Sequence, residues 1–269
     1  MDVNRYRISA VMPVRDRFEM ALRAVETLIN QTERPFEIVI VDDGSMIPFE
    51  QHIGALMGTA STLGIPLKVC RHELSKGVSA ARNHGFAISQ GDFVCFCDSD
   101  DYWTPRKLEV IGKIITTSPA VDVLFHSFFW RAGSLRIFAL LPADRLVRLS
   151  KWLLVSFAFL NPSCLCIKRT AYQTGFREDM KHHEDLEYFL RLSKFNDIWF
   201  YNNALTEMGR VPGSEGGASH DTDAMRRGAT TALAQYVGPT PVGLLAFLKV
   251  CYHKTILFLG TVRASSKYK

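Results

Sequence analysis

The stretch FVCFCDSDDYW, residues 93–103, decides how the rest of this 269-residue chain is read. Phe93 to Cys97 make an apolar run of the length of a buried strand. Asp98, Asp100 and Asp101 crowd directly after it, where like charges repel. One reading is a solvated turn whose aspartates accept turn hydrogen bonds. The other is a site for a cation that cancels the repulsion. Aspartates at i and i+2 after a strand aim two carboxylates at one hard ion, and Mg²⁺ and Mn²⁺ prefer oxygen ligands.

The same punctuation recurs upstream. FEIVIV (36–41) is a continuous apolar strand that ends in Asp42, Asp43, Gly44 and Ser45. Strands are also expected at 8–12 and 67–70, and helices at 18–31, 48–62 and 77–89. Thr104 as N-cap and Pro105 at the first position open a helix to about residue 116. Strands buried on both faces and alternating with helices argue for a parallel α/β sheet with right-handed crossovers. Ligand sites in such sheets lie at the carboxyl ends of the strands, where both acidic clusters fall.

The second half is less regular. Residues 121–130 and 134–141 read as a strand pair, 144–159 as a helix, 163–168 as a strand, 184–194 as a helix and 197–202 as a strand. Residues 209–219, rich in glycine and polar side chains, read as a mobile loop.

Composition narrows the function. The chain is 47% hydrophobic, enough for a sizeable core. Its six cysteines include no C-x-x-C pair, so Cys95, Cys97, Cys164 and Cys166 read as reduced core residues. The start of the chain does not look like a signal peptide, and a cytoplasmic location is expected. The net charge of +5 is a tail property: the segment from 224 onward is basic and contains no Asp or Glu. The body is therefore not marked as a nucleic-acid binder. Residues 243–263 carry lysines that interrupt a spanning helix, and they suit an amphipathic helix lying on an anionic membrane surface or packed on the body. Three segments follow: 1–118, 119–220 and a basic helical tail at 221–269.

The residues VMPVRDR (11–17), LINQT (28–32), FEIVIVDDGS (36–45) and KGVSAARNHGFAISQGDFVCFCDSDDYWTPRKLE (76–109) resemble the nucleotide-sugar-binding half of family 2 glycosyltransferases. The resemblance continues more weakly through NPSCLCIKR (161–169) and HHEDLEYFLRL (182–192). It implies the GT-A fold, a Rossmann-like, mostly parallel central sheet flanked by helices, here with a C-terminal helical tail. It also implies roles. Asp100 binds Mn²⁺ or Mg²⁺ bridging the donor diphosphate, and Asp98 shares the metal or faces the ribose. Asp42, with Asp43 beside it, accepts from the base. Pro13 and Arg15 line the nucleotide pocket, and Arg82 approaches the donor phosphates. Glu184 and Asp185 match the family's E-D pair, which makes Asp185 the general base.

The expected activity is inverting transfer from a nucleotide-sugar, with UDP favoured, to a hydroxyl of a glycan or lipid-linked acceptor in cell-surface polysaccharide synthesis. A peripheral membrane contact through 240–269 accompanies it. The rival readings are a nucleotidyltransferase that makes the activated sugar and a non-catalytic nucleotide-sugar-binding subunit. Several residues stay open. Asp101 ligates or caps the following helix, and Trp103 stacks on a sugar or packs at the rim. His182 and His183 touch donor or acceptor or are solvated, and Arg210 and His220 flank a closing loop.

Overall fold

The computed structural model describes residues 6–130, 143–156, 160–210, 221–237 and 248–249. Its first half runs β1 (Ile8–Val14), α1 (Phe18–Ile29), β2 (Glu37–Asp42), α2 (Gly54–Thr62), β3 (Leu67–Arg71), α3 (Val78–Ile88), β4 (Phe93–Phe96), β5 (Asp101–Trp103) and α4 (Lys107–Thr117). The second half runs β6 (Val123–Trp130), β7 (Leu146–Leu149), α5 (Lys151–Ser156), β8 (Leu165–Lys168), α6 (Glu184–Leu192), β9 (Ile198–Met208) and α7 (Thr222–Ala234).

β1, β2 and β4 are buried along their whole length, which explains their unbroken apolar sequence. Period-two alternation still sorts their side chains. Val11, Val39, Val41, Val94 and Phe96 join one core with α3 and α6. Ala10, Met12, Ile38, Ile40 and Cys95 join the opposite core with α1 and α4. The order β3-β2-β1-β4 is parallel throughout, so the carboxyl ends of these strands form one rim.

The direction then reverses. β8 pairs antiparallel with β4, β6 antiparallel with β8, and β9 parallel with β6. The short strands β5 and β7 both run antiparallel to β9. One sheet therefore crosses the division expected at residue 118. The reversal brings the turn before β8 and the start of α6 to the rim made by the first half.

Several local expectations are corrected. Residues 48–62 are a 3-10 turn at Phe49–Gln51, held to β2 by the buried Phe49 N–H donating to Asp42, followed by α2. The helix expected over 144–159 is instead β7 followed by α5, since Leu146 to Leu149 find a free edge on β9. Thr104 does not cap α4. Its hydroxyl donates to the Leu205 carbonyl (3.3 Å), and the helix begins at Lys107. Cys95, Cys97, Cys164 and Cys166 are buried free thiols, as their apolar strands require. The strand at 134–141, nearly all of the loop at 209–219, His220 and the segment 250–269 lie outside the described residues.

Candidate active site

A cavity of about 890 Å³ opens at the rim. Pro13 and Arg15 line it from the end of β1, and Asp43 from the end of β2. Arg82 lines it from α3, Asp98, Asp100 and Asp101 from beyond β4, and Glu184 and Asp185 from the first turn of α6. Seven of the eight residues expected to bind donor, metal or proton are thus brought together. Asp42 is not among the lining residues.

Asp42 is the last residue of β2 and its side chain turns inward. It accepts from the Ser45 N–H (2.9 Å), the Phe49 N–H (3.0 Å) and Arg71 Nη1 (2.7 Å). Burial alone would raise its pKa, but the bonds from Ser45, Phe49 and Arg71 outweigh burial and hold the carboxyl below its usual range. A carboxylate so enclosed faces Ser45, Phe49 and Arg71 rather than the cavity in which the base was expected. Asp43 faces the loop that leads into α3. It accepts from Ser75 Oγ (2.7 Å) and from the N–H groups of Lys76 (2.8 Å) and Gly77 (2.9 Å). His72 Nδ1 donates to it at 2.8 Å, and His72 Nε2 meets His84 Nδ1 at 2.9 Å. Burial works against the Asp43 charge, yet these bonds again hold its carboxyl low.

The acidic turn after β4 is built differently. Arg82, nearly inaccessible, donates Nη2 to both Asp98 oxygens (2.7 and 2.8 Å) and Nη1 to Glu184 (3.2 Å). One guanidinium therefore joins the acidic turn to the E-D helix. Burial opposes its charge, but Asp98 and Glu184 outweigh burial and keep it firmly protonated. Asp100 pairs with Arg17 Nη1 at 3.2 Å. Burial, then the Asp98 charge, pushes its carboxyl up, against Arg17 and Arg210. Asp101 does not cap α4. It lies on β5, buried, accepts from the Gly209 N–H (3.3 Å), and is raised well above its usual range by burial and by Asp98 and Asp100.

α6 begins after His183, whose left-handed backbone (φ 56°) turns the chain sharply and places Glu184 and Asp185 in the first turn. The Leu186 N–H donates to Asp185 Oδ1 at 2.7 Å. Burial raises the Asp185 pKa, with the Leu186 bond and Arg82 opposing and Asp98 adding to the rise. Burial and then Asp185 raise Glu184. His182 and His183 line the cavity too, and burial lowers the His183 pKa. Arg210 lines it beside them. Trp103 is buried away from the cavity with Lys107 Nζ 4.0 Å from its ring, so it packs rather than stacks on a sugar.

Three participants were not expected from the sequence. Asp16 and Arg17 both have left-handed backbones (φ 53° and 56°), which swings Arg17 across to Asp100, 83 residues away. Asp16 ties this turn to the β2 loop by accepting the Met46 N–H at 2.9 Å. Lys181 also lines the cavity. The run Arg15-Asp16-Arg17 was the available signal, but only the fold shows that Arg17 reaches the acidic turn. Among the described residues no cluster of three or more His, Cys, Asp or Glu forms a complete metal cage.

Comparison with known proteins agrees with this geometry. Residues 9–176 match the family model described as Glycosyl transferase family 2. The chain is 24% identical over 193 residues to the amylovoran biosynthesis glycosyltransferase AmsB of Erwinia amylovora, covering 69% of this chain and 64% of that one. It is 31% identical over 109 residues to the putative colanic acid biosynthesis glycosyl transferase WcaA of Escherichia coli K12, covering 40% of this chain and 37% of that one. The chain thus spans less than two thirds of the length of either relative. Among solved structures it is similar to S. aureus TarS 1-349 in complex with UDP-GlcNAc (TM-score 0.69, 17% identity), covering 92% of this chain and 71% of that one. It is also similar to the mannosyltransferase PcManGT from Pyrobaculum calidifontis in complex with GDP-Man and Mn²⁺ (TM-score 0.64, 15% identity), covering 100% of this chain and 83% of that one. The fold is of the GT-A type, and the chain belongs to glycosyl transferase family 2.

Proposed function

We propose that this family 2 chain moves a sugar from a nucleoside-diphosphate donor, a UDP-sugar for preference, to a hydroxyl of a glycan or lipid-linked acceptor, with inversion at the anomeric carbon. One observation carries the reading. A single cavity sets Asp98 and Asp100 against Glu184 and Asp185, with Arg82 bonded to both sides. The donors named in the TarS and PcManGT complexes support the donor class. The relatives named for amylovoran and colanic acid support polysaccharide assembly as the setting.

Asp98 and Asp100 fit a divalent cation. They are hard oxygen donors, and Asp100 is half-buried and crowded enough to have its pKa raised. Mn²⁺ and Mg²⁺ are commonly held by one or two carboxylates, with phosphate and water completing the shell. When bound, the cation neutralises charge developing on the departing diphosphate. The chain's own groups do the rest. Pro13, Arg15 and the loop held by Asp43 flank the nucleotide. Arg82 keeps Asp98 and Glu184 in fixed relation. Asp185 takes the proton of the acceptor hydroxyl on its carboxylate, and the hydroxyl oxygen forms the new bond as the nucleoside diphosphate leaves with the electron pair. A single displacement of this kind inverts configuration. The basic tail beyond residue 240 is where we place a peripheral membrane contact. Among the described residues no helix is long and apolar enough to cross a membrane.

The test begins with UDP and GDP binding measured with Mn²⁺ and with EDTA. Asp185→Asn is then expected to bind the nucleotide as the wild type does while transfer falls about 10²–10⁴-fold. Equal affinity in EDTA, release of pyrophosphate rather than nucleoside diphosphate, or retained configuration would each defeat the reading.

A further inference from the structure

Lys107, in the first turn of α4, is fully buried, and its ammonium has two oxygen partners: the Ser163 carbonyl (2.7 Å) and Thr206 Oγ1 (3.2 Å). Burying a lysine is costly, and two neutral oxygens with the Trp103 ring face 4.0 Å away offset only part of that cost. The residue it grips gives the reason. Ser163 lies in the short turn Pro162–Cys164, also fully buried. Its hydroxyl accepts the Asp98 N–H at 2.8 Å. The turn from Asp98 to Asp101 is itself closed by the Asp101 N–H donating to the Asp98 carbonyl at 3.0 Å. Ser163 therefore holds the Asp98 end of the acidic turn, and Lys107 holds Ser163. Thr206 Oγ1 completes the arrangement by donating to the same Ser163 carbonyl at 3.2 Å.

We propose that Lys107 is a positioning residue for the acidic turn. Acting through Ser163, it holds the Asp98 backbone so that Asp98 and Asp100 present their carboxylates to the cavity in the arrangement that takes a cation with a nucleoside diphosphate. The inference rests on the donor reading above. Without this hold the Asp98 backbone is free to shift, and the crowding of carboxyls on a short turn favours its spreading. Groups that orient ligating carboxylates typically cost about 10–100-fold in metal affinity when removed.

The experiment uses the full chain and UDP as probe, titrated with Mn²⁺ and with EDTA. Wild type is expected to bind UDP more tightly with Mn²⁺. Lys107→Met and Ser163→Ala are each expected to weaken that Mn²⁺-dependent binding about tenfold and to leave the EDTA value unchanged. The double variant is expected to lose no more than the worse single one, because both act on one element. Variants that melt earlier yet bind Mn²⁺ and UDP as wild type does would make Lys107 an internal peg and overturn the inference. Should Lys107→Met fail to fold, Ser163→Ala decides alone, since it removes one hydroxyl from the core. Mn²⁺-independent binding of UDP and GDP by wild type would instead bring down the donor reading, and this inference with it.

Discussion

Two acidic loops meet at one rim and are built on opposite principles. After β2, Asp42 and Asp43 receive hydrogen bonds from Ser45, Phe49, Arg71, His72, Ser75, Lys76 and Gly77, and both carboxyls sit below their usual range. After β4, Asp100 and Asp101 sit above theirs, because burial and neighbouring aspartates outweigh the cations nearby. The first loop is a finished structure that uses charge to hold backbone. The second crowds carboxyls at a cavity, where Arg82 and Arg17 offset only part of the crowding. In sequence the two look alike, as aspartates after an apolar strand. What separates them is how many donors the fold brings to each.

The largest effects test that contrast directly. Asp100→Ala is expected to remove Mn²⁺-dependent UDP binding, a loss of about 100-fold or more, while stability changes by within about 1 kcal/mol. Asp42→Ala is expected to do the reverse. It strands two buried N–H groups and a half-buried arginine, a cost of about 3 kcal/mol. Denaturant titration and calorimetry on the two variants separate these outcomes. A stability loss for Asp100→Ala as large as that for Asp42→Ala would erase the distinction between the loops.

Two glycines sharpen the comparison at smaller cost. Gly44 has φ +69°, and a Cβ there would meet Ser75 N at 2.6 Å and the Leu74 carbonyl carbon at 2.9 Å. Left-handed strain and overpacking together put Gly44→Ala at about 2 kcal/mol, read as a lowered denaturation midpoint. A Cβ at Gly209 would meet the Asp100 carbonyl oxygen at 1.8 Å, so the acidic turn itself must move. Gly209→Ala is expected to weaken Mn²⁺-dependent UDP binding about tenfold. An unchanged affinity would mean that the turn tolerates displacement.

Much of this was legible in the chain. The apolar runs placed β1, β2 and β4, and the aspartates after them marked the rim, because both signals are local. Which of two adjacent aspartates faces the cavity was not legible. Consecutive side chains on a strand point opposite ways, and the choice between Asp42 and Asp43 depends on Phe49 and Arg71 closing over one of them. β5 and β7 were missed because each exists only as a partner of β9. Arg17 and Lys107 were missed for a related reason: their partners lie 83 and 56 residues away. The helix expected at 144–159 shows the converse, a helical reading overruled by an available sheet edge.

The smallest expected effect is the dependence of stability on pH, and its sign differs between the loops. Asp42 and Asp43 have depressed pKa values, so their bonds stabilise the fold above the ordinary carboxylate range. That contribution is lost as pH falls through the depressed values. Asp100 and Asp101 have raised values and hold protons in the fold where the unfolded chain has released them. Their contribution is full below the ordinary range and is lost as pH rises through the raised values. Glu184 and Asp185 add to the second limb. The melting temperature in EDTA should therefore decline on both sides of a maximum lying on the acid side of neutrality. Asp100→Asn should reduce the alkaline decline and leave the acid one intact, and Mn²⁺ should flatten the alkaline decline in wild type by supplying the missing charge. A wild-type curve that rises steadily from acid to neutral pH in EDTA would show that the second loop is as well compensated as the first.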